Sequence, residues 1–79
     1  MDVRSPCERI VARLSPLLGP NMARNATRTF CVRTLGMDPE ALTAADVPRL
    51  AAALRPALRT LLGGTFGDQV VDEILREFR

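Results

Sequence analysis

A chain of 79 residues forms one domain with a small core, and 47% hydrophobic against 25% charged residues excludes a disordered tail. The eleven basic residues are all arginine; with Lys, His, Trp and Tyr missing, most of the catalytic alphabet is gone and no enzyme is expected. A net charge of +2 is too mild to announce a nucleic-acid binder, and no apolar run approaches the ~18 residues of a membrane span.

Ser5-Pro6-Cys7-Glu8 reads as a helix start, with Ser5 as cap, Pro6 in the first helical position and Glu8 closing a capping box. Cys7, Ile10, Val11 and Leu14 then share one face, continued by Leu17 and Leu18, while Pro16 predicts an end near Leu14 or a kink. Gly19-Pro20 stops this helix and starts a second over 20–35, which buries Met22, Ala23, Ala26, Phe30, Cys31 and Leu35 and is closed by Gly36. Asp38-Pro39-Glu40 begins a short turn through Leu42. The box Thr43-Ala44-Ala45-Asp46 precedes the longest periodic run, Val47, Leu50, Ala51, Leu54, Leu58, Leu61 and Leu62, with Pro48 tolerated near its start and Pro56 on its polar face. Gly63-Gly64 ends that helix. Thr65-Phe66-Gly67-Asp68 is a third box, opening a last helix with Phe66, Val70, Val71, Ile74, Leu75 and Phe78 on one stripe. No segment alternates as a strand does, and no repeat or low-complexity tract is visible. The expected fold is all-α: a compact bundle of four helices plus a short connecting helical turn, in a single domain over 1–79.

Candidate chemistry is sparse. Cys7 and Arg13 have the C-x5-R spacing of cysteine-dependent phosphatases, but the intervening Glu-Arg-Ile-Val-Ala holds no glycine and is patterned as helix. Both cysteines fall on apolar stripes and are expected as small buried hydrophobes, without a disulfide. Two cysteines and no histidine supply no metal site, no cofactor is implied, and Asn25-Ala26-Thr27 is a glycosylation sequon in the wrong place, mid-helix. Gly63-Gly64-Thr65-Phe66-Gly67 lacks the lysine and strand of a phosphate loop. Asp72, Glu73 and Glu77 read as a polar helix face.

Charge is unevenly placed: residues 1–37 carry six arginines against Asp2 and Glu8, whereas residues 63–79 carry Arg76 and Arg79 against Asp68, Asp72, Glu73 and Glu77. Asn21, Arg24, Asn25 and Arg28, spaced i, i+3, i+4, i+7, would present arginine and asparagine as a DNA-recognition helix does, with Arg9 and Arg13 adding charge. A solvated or protein-contacting face is the simpler account of the same residues.

The segment Leu35-Gly36-Met37-Asp38-Pro39-Glu40-Ala41-Leu42-Thr43-Ala44-Ala45-Asp46-Val47-Pro48-Arg49-Leu50, with Leu18-Gly19-Pro20 before it and Leu62-Gly63 after, resembles small uncharacterised prokaryotic all-helical modules. In those, a Gly-Pro turn and an LG-x-D-P-E-x-L-T segment precede a leucine-rich helix. The resemblance implies a module that works through partners in signalling or regulation, and implies no activity.

These features make a non-enzymatic helical interaction module the leading expectation. It would be a small bacterial, cytoplasmic regulator or scaffold that self-associates, as a dimer, because burial and chain entropy nearly cancel in so short a chain. Candidate interaction residues are Arg24 and Arg28, Asp72 and Glu73, and Leu54 and Leu58, with the acidic last helix expected against arginines of the first two. The alternative is a small DNA-binding protein using Asn21, Arg24, Asn25 and Arg28. Membrane partners are not expected.

Overall fold

Ser5 caps the first helix as its sequence suggests: its hydroxyl accepts the Glu8 backbone N–H at 3.2 Å, and α1 (Pro6–Leu18) follows with Pro6 in its first turn. The structure is a computed structural model describing residues 5–78; residues 1–4, including the Met1-Asp2-Val3-Arg4 start, and residue 79 lie outside the described part. Pro16 does not end α1. It sits exposed within the last turn, where the absent N–H loses only one bond and its ring faces solvent. After Gly19 comes α2 (Pro20–Phe30), which widens into a π-turn over Cys31–Leu35 and closes on Gly36 in the left-handed conformation, φ 65°. Two short 3-10 turns, Pro39–Ala41 and Ala44–Asp46, lead into α3 (Val47–Leu62) and then α4 (Gly64–Glu77). The fold is an all-α bundle of four helices, with no strand among the described residues and no helix long and apolar enough to cross a membrane.

The four helices form two hairpins with the same corner. Gly19 (φ 88°, ψ 150°) joins α1 to α2 alone, and Gly63 (φ 92°, ψ 154°) joins α3 to α4 alone. Both glycines sit at a φ that side-chain-bearing residues avoid. In each corner the glycine N–H donates to the carbonyl four residues before it, Ser15 or Arg59, and its own carbonyl accepts from Ala23 or Gly67, four residues after. A one-residue connection brings the two helices of a hairpin close together, so the residue four past the corner must be small. Ala23 and Gly67 fill that place, and both are buried.

Aligned on their corners, the hairpins match with a constant offset from 19 to 63. Ile10, Leu14 and Thr27 stand for Leu54, Leu58 and Val71, all buried, while Leu17 and Met22 stand for Leu61 and Phe66, all exposed. The likeness lies in corner geometry and in burial at these positions. Only L-x-x-L-L-G, at 14–19 and 58–63, survives as shared sequence.

The core lies between the hairpins. Ile10 and Leu14 from α1, Leu50, Leu54 and Leu58 from α3, and Ile74 from α4 are almost wholly buried, each removal from water stabilising by roughly 1.5–3 kcal/mol. On α2 the buried set is Ala23 and Thr27 rather than the expected Met22 and Ala26; Met22 is 50% exposed. Packing against α1 at such close range selects small residues, and the Thr27 hydroxyl is satisfied by donating to the Ala23 carbonyl at 2.8 Å. Phe66 and Leu61, expected inside, are 43% and 52% exposed, because Gly67 takes the inward position beside the corner. The Thr65-led box does not form either. The last helix begins at Gly64 without a side-chain cap.

The Thr43 box holds in part: the Asp46 carboxylate accepts the Thr43 backbone N–H at 3.1 Å and its hydroxyl at 2.8 Å, and these bonds hold the Asp46 carboxyl below its ordinary 3.8. A pKa depressed in the folded state stabilises above the ordinary carboxylate range and ceases to do so as pH falls through the depressed value. Asp46→Ala should therefore melt below the parent at neutral pH, and the gap should narrow in acid, once the pH has fallen through the depressed value. Melts followed by circular dichroism at both pH values test this; a gap that does not narrow would exclude the carboxylate as its source.

Candidate functional site: the cleft between the first two helices

Among the described residues, Arg9, Arg13, Arg55 and Arg59 are met by carboxylates, whereas Arg24, Arg28 and Arg33, together with Arg49 on α3 and Arg76 on α4, have none within 4.0 Å. On α1, Arg13 donates to Glu77 through Nε at 3.1 Å and through Nη2, and lies 3.6 Å from Glu73, while Arg9 lies 3.3 Å from Glu77 and over the Phe78 ring at 4.3 Å. On α3, Arg55 reaches Asp68 at 3.0 Å and Asp72 at 3.4 Å, and Arg59 reaches Asp68 at 3.0 Å. The acidic side of α4 is thus taken up by α1 and α3 within one chain.

Arg24 and Arg28 are not among these pairs. The expected contact of the acidic last helix with arginines of the first two helices holds on α1, where Glu73 and Glu77 meet Arg13 and Glu77 meets Arg9, and fails on α2: Asp72 goes to Arg55 of α3, and neither Asp72 nor Glu73 reaches Arg24 or Arg28. Among the described residues neither Arg24 nor Arg28 has a carboxylate within 4.0 Å, and both are exposed. Asn21 and Asn25 are exposed on the same helix. Leu54 and Leu58, named from sequence as interaction residues, are each 1% exposed and belong to the core, so neither offers a surface.

Arg24 and Arg28 form one wall of a cleft of about 490 Å³ between α1 and α2. Cys7, Glu8, Val11, Ala12 and Ser15 of α1 also line it, together with Glu40 of the first 3-10 turn, so two carboxylates share the cleft with the two arginines. A shallower depression of about 290 Å³ runs along α2 between Arg28, Thr29, Val32 and Arg33, so Arg28 is common to both. Sequence reasoning found the two arginines but not the cleft, since nothing in the spacing of α1 announces that Val11 and Ser15 leave room opposite them.

Both cysteines are enclosed. Both are free and buried, Cys7 at 6% and Cys31 at 0% exposure. Burial pushes the Cys31 thiol up to about 11, and it raises Cys7 as well, against the pull of Arg28. A thiol held protonated is a poor nucleophile, and Arg13 of the C-x5-R pattern is turned to α4 instead of Cys7. No group of three or more metal-ligating side chains occurs among the described residues. The cleft sets the guanidinium groups of Arg24 and Arg28 and the carboxylates of Glu8 and Glu40 around Cys7, Val11, Ala12 and Ser15. No family model, curated protein or solved structure matches this chain.

Proposed function

We propose that this protein is a non-enzymatic helical interaction module, a small bacterial regulator or scaffold that docks an acidic protein surface on α2. One observation carries this: α1 and α3 spend their inward arginines on α4, whereas Arg24, Arg28 and Arg33 of the α2 segment have no opposite charge within 4.0 Å among the described residues. Met22 and Val32, 50% and 55% exposed, add apolar area along the same segment. Apolar contact beside unpaired arginines is the composition of a protein interface, where arginine is enriched.

Self-association belongs to the same proposal, through the corner residues. Leu17 and Leu61, and Met22 and Phe66, occupy equivalent exposed positions in the two hairpins, so a second copy meets apolar surface at either corner. Light scattering coupled to size exclusion should report a particle larger than 8.7 kDa; a monomer at high concentration would remove this limb.

DNA is the alternative occupant of Asn21, Arg24, Asn25 and Arg28. It is the weaker one, since Arg9 and Arg13, which would have widened the basic face, are engaged by Glu73 and Glu77. Titrating an acidic peptide and a duplex DNA into isotope-labelled protein at physiological salt separates the two. Docking predicts saturable amide shifts along α2 with the peptide and weak, sequence-independent binding to DNA. Submicromolar DNA binding that is lost in Arg24→Ala and Arg28→Ala would reverse the assignment.

A further inference from the structure

The matching hairpins show what the cleft lacks. In the second hairpin, Arg55 and Arg59 of α3 reach across to Asp68 and Asp72 of α4, so the groove between those helices is bridged by opposite charges. With Gly19 placed on Gly63, Arg24 and Arg28 occupy the positions of Asp68 and Asp72, and Val11 and Ser15 occupy those of Arg55 and Arg59. The first hairpin thus keeps two charges on its second helix and has an apolar residue and a short hydroxyl where their counter-charges would be. The Ser15 hydroxyl is itself committed, donating to the Val11 carbonyl at 2.6 Å. The cleft of about 490 Å³ lies here, and a more open depression of about 500 Å³ lies beside Arg55, Arg59 and Gly64 of the second hairpin, so the two hairpins differ in counter-charge and not in volume.

Resting on the docking proposal, we infer that the partner fills this cleft with two carboxylates set one helical turn apart on a helix, supplying from outside the counter-charges that the second hairpin supplies internally. The spacing follows from the receiving groups. Arg24 and Arg28 are i and i+4 on α2, neighbours on one face, and each guanidinium can clasp a carboxylate through two parallel N–H donors. Acidic residues four apart on a helix match that pair; acidic residues two apart point to different sides. Glu8 and Glu40 line the same cleft and oppose any further acid, so the partner residues that face them are neutral or basic. Val11 and Ala12, which also line the cleft, take the methylenes that carry the carboxylates.

The probes are an alanine-based helical peptide with glutamates four residues apart and an isomer of the same composition with glutamates two apart, each titrated into isotope-labelled protein. The first should bind about tenfold more tightly than the second, which corresponds to one charge-assisted contact, and should shift amides of α1 near Val11 and Ser15 as well as of α2. Arg24→Ala and Arg28→Ala should each weaken it by a similar factor. Ser15→Asp places a carboxylate opposite Arg24, at the position matching Arg59. It should weaken the first peptide about tenfold while leaving the melting temperature unchanged or higher. If that variant folds poorly, Arg28→Gln, at an exposed position, gives the same comparison. Equal binding of the two peptides, or shifts confined to Val32 and Arg33, would overturn the inference and leave docking on α2 standing. Absence of saturable binding by either peptide would overturn both.

Discussion

Gly67→Ala should lower the melting temperature by roughly 10–20 °C, an effect out of proportion to one methyl group. A Cβ at position 67 would stand 2.7 Å from the Arg59 backbone nitrogen and 2.8 Å from the Leu58 carbonyl carbon and oxygen. These are main-chain atoms of α3, held in helix, so they cannot swing aside; α3 and α4 must separate beside the Gly63 corner, which the one-residue connection resists. Overpacking of this kind costs about 1–3 kcal/mol, and each kcal/mol moves a domain of this size by about 4–8 °C. Gly64→Ala is the control. Its Cβ meets only the Arg59 guanidinium, at 3.3 Å, which can move, and alanine restricts the unfolded chain more than glycine. Its melting temperature should change by a few degrees at most, and if Gly67→Ala behaves the same way, α3 and α4 are not held at closest approach there.

That glycine also shows where the sequence was silent. Gly67 falls inside Thr65-Phe66-Gly67-Asp68, whose spacing suggests a capping box, yet the helix starts at Gly64 and the Asp68 carboxylate is drawn to Arg55 and Arg59. A cap and an ion pair compete for the same carboxylate, and only the position of α3 decides between them. The terminators were legible because they are local: Ser5, Gly19, Gly36 and Gly63 do in the fold what their chemistry dictates. The face of α2 was not. Hydrophobicity ranks Met22 above Thr27, whereas the tight hairpin ranks by size and buries Thr27 with its hydroxyl satisfied in place.

The site was legible by halves for a similar reason. Arg24 and Arg28 follow from helical spacing alone, but their partners depend on which helices are neighbours. The charge balance correctly suggested that acidic α4 would meet basic residues; it could not say that Arg13 and Arg55 would be those residues. The structural repeat escaped for a further reason. Its two halves agree in burial and in corner geometry, while the residues between have exchanged arginine for aspartate at 24 and 68 and at 28 and 72. Such differences erase sequence likeness while keeping the helices in place, and with Val11 and Ser15 standing for Arg55 and Arg59 they leave Arg24 and Arg28 without counter-charges at the matching positions of α1.

The repeat also fixes an expectation for the core. Leu58→Ala should cost about 2–5 kcal/mol, the range for emptying a leucine site with limited room to collapse. Against a total of roughly 0.05–0.15 kcal/mol per residue, that is a large part of the stability of a 79-residue chain. Leu61→Ala, three residues on but 52% exposed, should cost no more than about 0.5 kcal/mol in the monomer. The hairpin equivalence predicts the same contrast at Leu14 and Leu17, which are 0% and 36% exposed. With no Trp or Tyr, urea unfolding is best followed by far-ultraviolet circular dichroism. Near-equal losses for Leu58→Ala and Leu61→Ala at every protein concentration would contradict the assignment of inner and outer leucines. A loss for Leu61→Ala that grows as the protein is concentrated has a different meaning, since association adds to apparent stability by mass action. In that case Leu61 is covered by a second copy, and Leu17, in the same place on the other hairpin, should show the same dependence.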